Sequence, residues 1–474
     1  MSPRRMLIPG LMAIAVLLAA CQGEAPPAAP GGGATEAGAT EAGATEAGAT
    51  EATEAAAELS GSLFAFGFGY KTGDEIAKIR VDRFRKQFPD VKVTFSESGF
   101  EAQQFLSALA SGEPPDLVNV PRNTIGTFIA RGVLEPLDDC IAKEGIDMGA
   151  FYESAVAQVT VDGSPYALPE FFNSRIWIMN NPAFKEAGLD PEELDLSDWD
   201  AIAAANEKLT KKSGDRLNRI GIDPKLPEFL PLWAWANDSP MISEDGLQSQ
   251  LEAPGVAEAL QFSNGLHEPA GGRTTFLDFR DTWDFFGSKN QFVTDQLAAM
   301  PMEQWYLDVL AEASPDVDIT VRPFQTRDGE PITWSDGNAW AIPAEARNPE
   351  AACAFIRVMT EKDSWLEAAE GKAKQRKKDG APFIGVYTGN AEADDMIFKE
   401  VVDLSKSPEL ERAVQTVLEV QKHAFALPPS PAAAQFESAW ISAVDDVMTG
   451  KGDPAEALQG ADQKAQDEIE GAAR

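Results

Sequence analysis

The stretch YALPEFFNSRIWIMNNPAFKEAGLD, residues 166–190, decides the fold because it joins two kinds of periodicity in a short span. Its "RIWIM" is a short apolar run that predicts a buried strand, and "NPAFKEAGL" predicts a short helix ending near a glycine. Further along, "LSDWDAIAAANEKLT" predicts a longer helix, in which Ser197 and Asp200 form a capping-box pattern. A strand followed by helices is the repeating unit of α/β proteins.

The chain before this stretch alternates in the same way. "LFAFGF" predicts a first strand, and a helix with apolar residues at helical spacing follows it up to Phe88. "VKVTF" and "DLVNV" predict two further strands, separated by a helix around Phe105 and followed by a helix over residues 123–131. This β-α-β-α-β-α order predicts an α/β lobe with a mostly parallel sheet.

The chain after this stretch repeats the theme and predicts a second lobe of the same class. "LAAMPME" and "DITVRPF" read as strands, whereas "WYLDVLAEA" and "NPEAACAFIRVMT" read as helices. From Pro408 onward the pattern is helical and amphipathic.

A glycine-rich turn follows the first strand, in "SLFAFGFGYKTGDEIAK", residues 62–78. Strand, glycine-rich turn and helix in this order are typical of phosphate-binding loops. The spacing excludes both common kinds, because Gly67, Gly69 and Gly73 give G-x-G-x-x-x-G and Lys71 precedes the last glycine. We therefore expect this turn to present something other than a phosphate cradle.

The N-terminus has the pattern of an export signal. Arg4 and Arg5 precede an apolar run that ends in "LAAC" at Cys21. This pattern predicts a signal peptide over residues 1–20, and it resembles the bacterial lipobox, in which the cysteine is lipidated. The two arginines fit general secretion and twin-arginine export alike.

The segment that follows is a predicted tether. Residues 21–58 begin at Cys21 and repeat "GATEA" four times between Pro- and Gly-rich and acidic flanks. Small and acidic residues at this density cannot bury a core, so we expect a disordered linker. The sequence thus predicts a protein anchored by lipid on the extracytoplasmic face of the bacterial cell membrane.

Composition excludes several functions. The chain has 76 acidic and 40 basic residues and a formal charge of -36, which opposes binding to nucleic acid or anionic lipid. With only His267 and His423, and without H-E-x-x-H or G-x-S-x-G, we expect no metal, cofactor or catalytic residue. Cys140 and Cys353 could be bonded or could both be small buried side chains.

The order of the motifs resembles the extracellular solute-binding proteins of ABC importers, the maltose-binding-like family. "ALASGEPPDLVNV" and "FIARGVLEPLDD" resemble two of its N-terminal motifs, and the stretch from residue 166 continues them. "QLAAMPMEQWY", "NPEAACAFIRVMTEKDSW" and the closing "VMTGKGDPAEAL" follow in the expected order. The resemblance covers nearly all of residues 59–474.

The resemblance implies two α/β lobes of the periplasmic-binding-protein fold, joined by crossing segments and closing on a ligand. By this analogy the N-terminal lobe takes residues 59–168 and 332–372, and the C-terminal lobe takes residues 169–331 and 373–474. It also implies a monomer that delivers its ligand to the membrane subunits of an ABC permease.

A sugar site needs aromatic platforms for C–H faces and planar polar groups for hydroxyls. The expected aromatic residues are Phe68, Tyr70, Trp233, Trp305 and Trp334. The expected polar residues are Asn119, Arg122, Glu170, Asn173, Glu303 and Asp336. The pattern places Trp199 and Trp440 in the core, together with one of Trp233 and Trp235.

The resemblance predicts a sugar or oligosaccharide receptor, and three alternatives stay open. Acidic residues with aromatic boxes also suit a polyamine or another small solute. A secreted carbohydrate-active enzyme would need two carboxylates facing the sugar, which composition alone permits. An adhesion lipoprotein would display its aromatic residues on an exposed surface.

Overall fold

Two sheets of unequal size organise the chain in a computed structural model that describes residues 59–71 and 73–474. The predicted signal peptide, Cys21 and the tether lie outside the described residues. The strands are β1 Gly61–Phe66, β2 Val91–Phe95, β3 Leu117–Pro121, β4 Thr160–Val161, β5 Ser164–Pro165, β6 Ala167–Pro169, β7 Arg175–Asn180, β8 Lys211–Ser213, β9 Arg216–Ile222, β10 Leu297–Glu303, β11 Ile319–Gln325, β12 Pro331–Trp334, β13 Asn338–Ala341 and β14 Ala424–Phe425.

The helices flank these sheets. They are α1 Glu75–Gln87, α2 Ala102–Ala110, α3 Ile125–Ala130, α4 Asp138–Glu144, α5 Glu153–Gln158, α6 Asn181–Glu186, α7 Trp199–Leu209, α8 Leu230–Ala236, α9 Pro254–Gly265, α10 Arg273–Arg280, α11 Tyr306–Ala313, α12 Pro349–Thr360, α13 Lys362–Asp379, α14 Ala391–Glu400, α15 Pro408–Val420, α16 Ala433–Met448 and α17 Pro454–Ala472. Short 3-10 turns lie at Arg122–Thr124, Met148–Ala150, Glu268–Ala270 and Gln421–His423.

The first lobe is built on a five-stranded sheet in the order β2-β1-β3-β13-β6. Strand β1 buries Leu63 and Ala65 on one face, as its alternating pattern requires. Helices α1 and α12 pack on this sheet through Phe84 and Phe355, whose ring centroids are 5.0 Å apart.

The second lobe is built on a seven-stranded sheet in the order β14-β12-β11-β7-β10-β9-β8. Every residue of its central strand β7 is buried. Ile176 and Ile178 join one hydrophobic cluster, while Trp177 and Met179 join another, so helices cover the sheet on both faces.

The expectation of mostly parallel sheets is wrong in detail. In the first sheet β1 runs parallel to β2 and β3, but β13 runs antiparallel to β3 and β6. In the second sheet β7 is antiparallel to both of its neighbours. The reason is the passage of the chain between lobes: β6 leads out of the first sheet and β13 brings the chain back beside it, so the two must run in opposite directions.

The structure also tests three local predictions, which concern the cap of α7, two tryptophan side chains and a cysteine pair. The predicted capping box is wrong, because Asp198 caps α7 by accepting from the Asp200 and Ala201 amides, while Ser197 bonds to Asp195. Trp199 and Trp440 are buried in the second core, as expected. A disulfide joins Cys140 and Cys353, whose Cα atoms are 5.7 Å apart, and so ties α4 to α12.

Three chain segments meet between the lobes. The chain leaves the first sheet after Pro169 and enters the second at Arg175, and it returns between Trp334 and Asn338. A third segment lies beside the first, because Phe171 and Thr388 form an isolated β-bridge. Over the described ranges, no helix is long and apolar enough to cross a membrane.

Candidate functional site

Glu170 connects all three crossing segments. Its amide donates to the Asn338 carbonyl over 2.8 Å, and its own carbonyl accepts from the Gly389 amide over 2.7 Å. Its carboxylate lies 3.0 Å from the Arg80 guanidinium and accepts from Asn119 Nδ2 over 2.5 Å. We call Arg80, Asn119, Glu170 and Asn338 the buried knot. Burial raises the pKa of Glu170, and the charge of Arg80 opposes that rise.

A second charged group lies on the same crossing segments. The backbones of Asn173 and Asp336 pair through the Asn173 amide at 2.8 Å, and Asn173 Nδ2 donates to Asp336 Oδ1 over 2.9 Å. Arg175 Nη2 donates to Asp336 Oδ2 over 2.6 Å. Burial opposes ionisation of Asp336, but Arg175 and Asn173 stabilise the anion and lower its pKa overall.

Two further residues complete this group through Arg175. Glu303, the last residue of β10, lies directly opposite Arg175 in the sheet, with 3.5 Å between Oε1 and Nη2. The guanidinium also lies over the Trp334 ring, 4.2 Å from its centroid. We call Asn173, Arg175, Glu303 and Asp336, together with Arg122 described next, the hinge cluster.

Arg122 approaches the cluster from the first lobe, immediately after β3. Its Nε donates to Gln158 Oε1 over 2.9 Å, and Nη1 donates to the Phe171 carbonyl. Its Nη2 is buried and has no hydrogen-bond partner among the described residues. Desolvation lowers the pKa of Arg122 to about 10, partly opposed by the charge of Asp336.

Gly337 makes this approach possible. Its φ of 144° lies in the region that favours glycine, and a Cβ there would lie 2.2 Å from the Phe171 carbonyl oxygen. The same Cβ would lie 2.6 Å from Arg122 Nη1. The return crossing therefore requires a glycine beside Asp336.

The opposite wall comes from α16 of the second lobe. Both carboxylate oxygens of Glu437 accept from Asn123 Nδ2, over 3.2 and 3.3 Å. Burial, followed by the charge of Asp336, raises the pKa of Glu437. The lobes touch beside this pair, where a Cβ on Gly126 would lie 2.4 Å from the Ser430 carbonyl oxygen.

Two cavities are connected to the hinge cluster, one through Gln158, which accepts from Arg122, and one through Asn173 itself. A groove of 940 Å³ includes Gln158 from the first lobe and Trp235 from the second, and Trp235 stacks on Phe425 at 4.1 Å. A smaller cavity of 160 Å³ is lined by Asn173 and by Trp305, which is 36% exposed. The space between the lobes thus has a polar centre with room beside it.

The structure brings some predicted site residues together and places others elsewhere. Asn173, Glu303 and Asp336 share contacts with Arg175, and Trp334 packs beneath its guanidinium. Arg122 lies close enough for its charge to act on Asp336. Trp305 lines the smaller cavity.

The remaining predicted residues lie in supporting positions. Asn119 and Glu170 are wholly enclosed in the buried knot. Trp233 is fully buried and donates from Nε1 to the Pro224 carbonyl over 3.0 Å, so it is the core member of the Trp233 and Trp235 pair. Phe68 and Tyr70 are half-buried and pack on Trp340 and Phe95 of the first lobe.

Sequence reasoning missed Arg175 and Glu437. Arg175 carried a usable signal, since a lone cation begins the otherwise apolar strand "RIWIMN" directly after a crossing. Glu437 carried none, because one acid on an amphipathic helix reads as a solvated charge. Across residues 59–71 and 73–474, no cluster of three or more His, Cys, Asp or Glu residues could hold a metal.

A comparison with known families matches more than half of the chain. Residues 80–374 match the family model described as bacterial extracellular solute-binding protein. The sn-glycerol-3-phosphate-binding periplasmic protein UgpB of Pectobacterium atrosepticum is 29% identical over 144 residues, which is 29% of this chain and 32% of the relative. The chain therefore spans about a third of the length of the curated relatives it matches.

Solved structures share the fold at low sequence identity. CpMnBP1 with mannobiose bound has a TM-score of 0.68 and 22% identity, covering 85% of this chain and 99% of that one. Lmo0181 of Listeria monocytogenes, in complex with cycloalternan, has a TM-score of 0.67 and 20% identity, covering 86% and 97%. UgpB of Mycobacterium tuberculosis with glycerophosphocholine has a TM-score of 0.64 and 18% identity, covering 87% and 99%. The two-lobed periplasmic-binding-protein fold is confirmed.

Proposed function

The chain belongs to the bacterial extracellular solute-binding proteins, and from this premise we propose that it captures a sugar or oligosaccharide between its lobes. The proposal extends to delivery of that ligand to an ABC permease. The ligand centre would be the hinge cluster, with Glu437 and Asn123 closing on it from both sides.

The observation that carries the proposal is the alternation of donors and acceptors in the hinge cluster. Asp336 and Glu303 offer acceptor oxygens on either side of Arg175, and Arg122 holds a buried Nη2 without a partner among the described residues. A hydroxyl group both donates and accepts, so vicinal hydroxyls satisfy carboxylates and guanidinium groups together. A ring of hydroxyls is therefore the ligand chemistry that these side chains suit best.

Charge argues against the two charged ligand classes. A phosphate ester would bring its negative charge against Asp336, Glu303 and Glu437, and like charges at short range are costly. A polyamine would meet the cations Arg122 and Arg175 at the centre of the same cluster. A neutral polyhydroxy ligand avoids both conflicts.

The groove gives this ligand room to extend. Its 940 Å³ is of the size that small-molecule sites have, and Trp235 provides an aromatic platform at its edge. We therefore include oligosaccharides in the proposal, entering from the Gln158 side of the hinge cluster.

The proposal also includes the cellular setting. The chain would act as a monomer, anchored through a lipid on Cys21 and tethered by residues 21–58 on the extracytoplasmic face of the membrane. It would bind its ligand without reaction, because both acids nearest Arg175 are engaged with its guanidinium rather than poised to transfer protons.

A ligand screen by thermal unfolding tests the function. The panel contains monosaccharides, oligosaccharides, polyols, glycerol 3-phosphate and spermidine, each added to the purified full chain. A ligand at 100 times its dissociation constant stabilises by about 2.7 kcal/mol, which raises Tm measurably. We expect a saturable rise with one class of neutral sugar and unchanged sugar after prolonged incubation. A rise with glycerol 3-phosphate or spermidine alone would overturn the ligand class.

A further inference from the structure

A small, mainly apolar cavity adjoins the hinge cluster at Asn173. Its volume is 160 Å³. Most of its lining is apolar or aromatic and comes from Ile76, Phe171, Trp305, Phe383, Ile384, Val386 and Tyr387. Polar or charged groups of Asn173, Gln304, Asp308 and Lys372 also line it. The apolar and aromatic side chains form the larger part of this surface, and they suit an apolar group better than the hydroxyl-bearing edge of a sugar ring.

Both lobes contribute to this cavity. Ile76 lies in the first turn of α1 in the first lobe, Phe171 on the first crossing, and Trp305 directly after β10 of the second lobe. A cavity divided in this way opens when the lobes part and encloses its contents when they close. It therefore belongs to the ligand-binding cycle rather than to the packing of one lobe.

The size of the cavity matches a single aromatic ring. Apolar cavities of about 150 Å³ stay dry and bind benzene in proteins. The rings of Phe171, Trp305 and Phe383 supply faces and edges against which an aromatic group packs in offset or edge-on geometry.

Tyr387 adds a second, independent observation on the lining of this cavity. It is 6% exposed, and its hydroxyl has no hydrogen-bond partner among the described residues. The side-chain amide of Gln304, which lines the same cavity, is engaged elsewhere: its oxygen accepts from the Ser174 amide over 2.6 Å and its nitrogen donates to the Phe172 carbonyl over 2.8 Å. A buried hydroxyl is normally satisfied, so an oxygen on the bound ligand would complete it.

Asn173 joins the cavity to the polar centre. Its side chain lines the cavity and donates to Asp336 Oδ1 over 2.9 Å. A ligand whose hydroxyls bind Asp336 therefore has its neighbouring substituent at the mouth of the cavity.

From this continuity we propose that the solute is an aryl glycoside, with its sugar on the hinge cluster and its aromatic aglycone in the apolar cavity. The inference rests on the proposed sugar function and narrows its substrate class. An oxygen substituent on the ring would reach the Tyr387 hydroxyl.

Matched glycosides test the inference by titration calorimetry of the full chain. The probes are the free sugar, the methyl glycoside and the phenyl glycoside of glucose, mannose and galactose in both anomers. Burial of a phenyl group in place of a methyl group should tighten binding roughly 10-fold to 100-fold. We expect the phenyl glycoside to bind more tightly than the methyl glycoside for whichever sugar and anomer the protein recognises.

A cavity-filling variant locates the effect. Val386→Phe fills the cavity from a half-buried position and should abolish the phenyl preference while leaving the free sugar within about 3-fold of wild type. Val402→Phe is the matched control, since Val402 is also half-buried and lines a different cavity beside Asp394. It should keep the preference.

The outcomes separate the two proposals. Equal affinity for phenyl and methyl glycosides would overturn the aryl inference and leave the sugar receptor intact. A phenyl preference that survives in Val386→Phe would overturn the cavity as its location. Failure of every probe to bind folded protein, together with no response to the oligosaccharides of the thermal screen, would overturn the proposed function and the aryl inference with it.

Discussion

The buried knot and the hinge cluster use the same chemistry on the same crossing segments, yet they differ in exposure. The side chains of Arg80 and Glu170 are 1% and 0% exposed, and both are enclosed by protein groups. In the hinge cluster Glu303 and Asp336 are 19% and 21% exposed, beside the 3% exposed Arg175.

This difference in exposure indicates how the crossing segments could hold the two lobes together and also bind a ligand. A fully enclosed ion pair leaves no room for a ligand and fixes the geometry of the segments that it joins. A pair whose carboxylates are partly exposed keeps acceptor positions free for hydrogen bonds, so a ligand can add to the pair without breaking it. We therefore propose that the buried knot supplies stability and that the hinge cluster binds the ligand.

The largest effect should come from breaking the buried knot. Glu170→Ala leaves the Arg80 guanidinium buried without its counter-ion, so we expect the free energy of unfolding to fall by about 3–5 kcal/mol. Denaturant unfolding of the full chain measures this. Glu367→Ala is the control, because Glu367 is 54% exposed in its pair with Arg83, and such pairs contribute roughly 0–1 kcal/mol. Equal losses in the two variants would contradict the distinction.

The next effect should fall on affinity rather than stability. Asp336→Asn keeps the side-chain shape but removes the charge that faces Arg175 and that we propose to bind the ligand hydroxyls. We expect sugar affinity to fall by about 2 kcal/mol, or roughly 30-fold, because a charge-assisted hydrogen bond is lost. Calorimetric titration checks this, with the exposed Asp318→Asn as control. A large loss of stability with unchanged affinity would reverse our assignment.

The carboxylate of Asp394 differs from those of Glu170 and Asp336, which pair with arginines. It is buried and accepts hydrogen bonds from the neutral Thr388 amide and Tyr152 hydroxyl. Burial raises its pKa to about 7 from 3.8. A raised pKa means that the folded state binds the proton more tightly. The stabilisation from Asp394 is therefore complete below about pH 4 and is lost as pH rises to about 7.

The difference between wild type and Asp394→Asn isolates this dependence. Burial lowers the pKa of His267 to about 4, which gives the opposite trend in part of the same range, so the wild-type curve alone mixes the two. We expect the wild type to lose about 4 kcal/mol relative to Asp394→Asn between pH 4 and pH 8, because each unit of pKa shift corresponds to about 1.4 kcal/mol. A constant difference across that range would contradict the raised pKa.

The smallest effect should come from the contact that closes the lobes. Gly126→Ala would place a Cβ 2.4 Å from the Ser430 carbonyl oxygen, while alanine itself favours helix α3. We expect sugar affinity to fall about 3-fold to 10-fold through a less populated closed state, with stability nearly unchanged. Gly460→Ala is the matched control, since its helical Cβ would meet nothing within 4 Å. Full affinity in Gly126→Ala would show that binding does not need this contact.

Periodicity predicted the elements well and the crossings incompletely. "RIWIM", "VKVTF" and "DLVNV" are strands because their buried residues follow from local pattern. The direction of β13 relative to β6 depends on the path between lobes, which no local pattern records. Helix α7 is capped by Asp198 and not by the predicted Ser197, because neighbouring side-chain acceptors compete for the same backbone amides.

The candidate site was predictable where a residue lies at the end of an element. Glu303 is the last residue of β10, and Asn173 and Asp336 lie on the crossing segments. The structure gathers all three around Arg175. Trp233 was predicted as a sugar platform and is fully buried. The local sequence cannot separate these two roles, because both place an indole among apolar residues. Glu437 could not be found, since its importance depends on Asn123 of the other lobe.

A crystal structure of the full chain with its tightest-binding sugar would test the central assignment most directly. We predict a ligand between the lobes, with ring hydroxyls within hydrogen-bond distance of Asp336, Glu303 or Arg122 and with the ion pair of Arg80 and Glu170 unchanged. A ligand bound away from the hinge cluster, or one that inserts into the buried knot, would contradict the assignment.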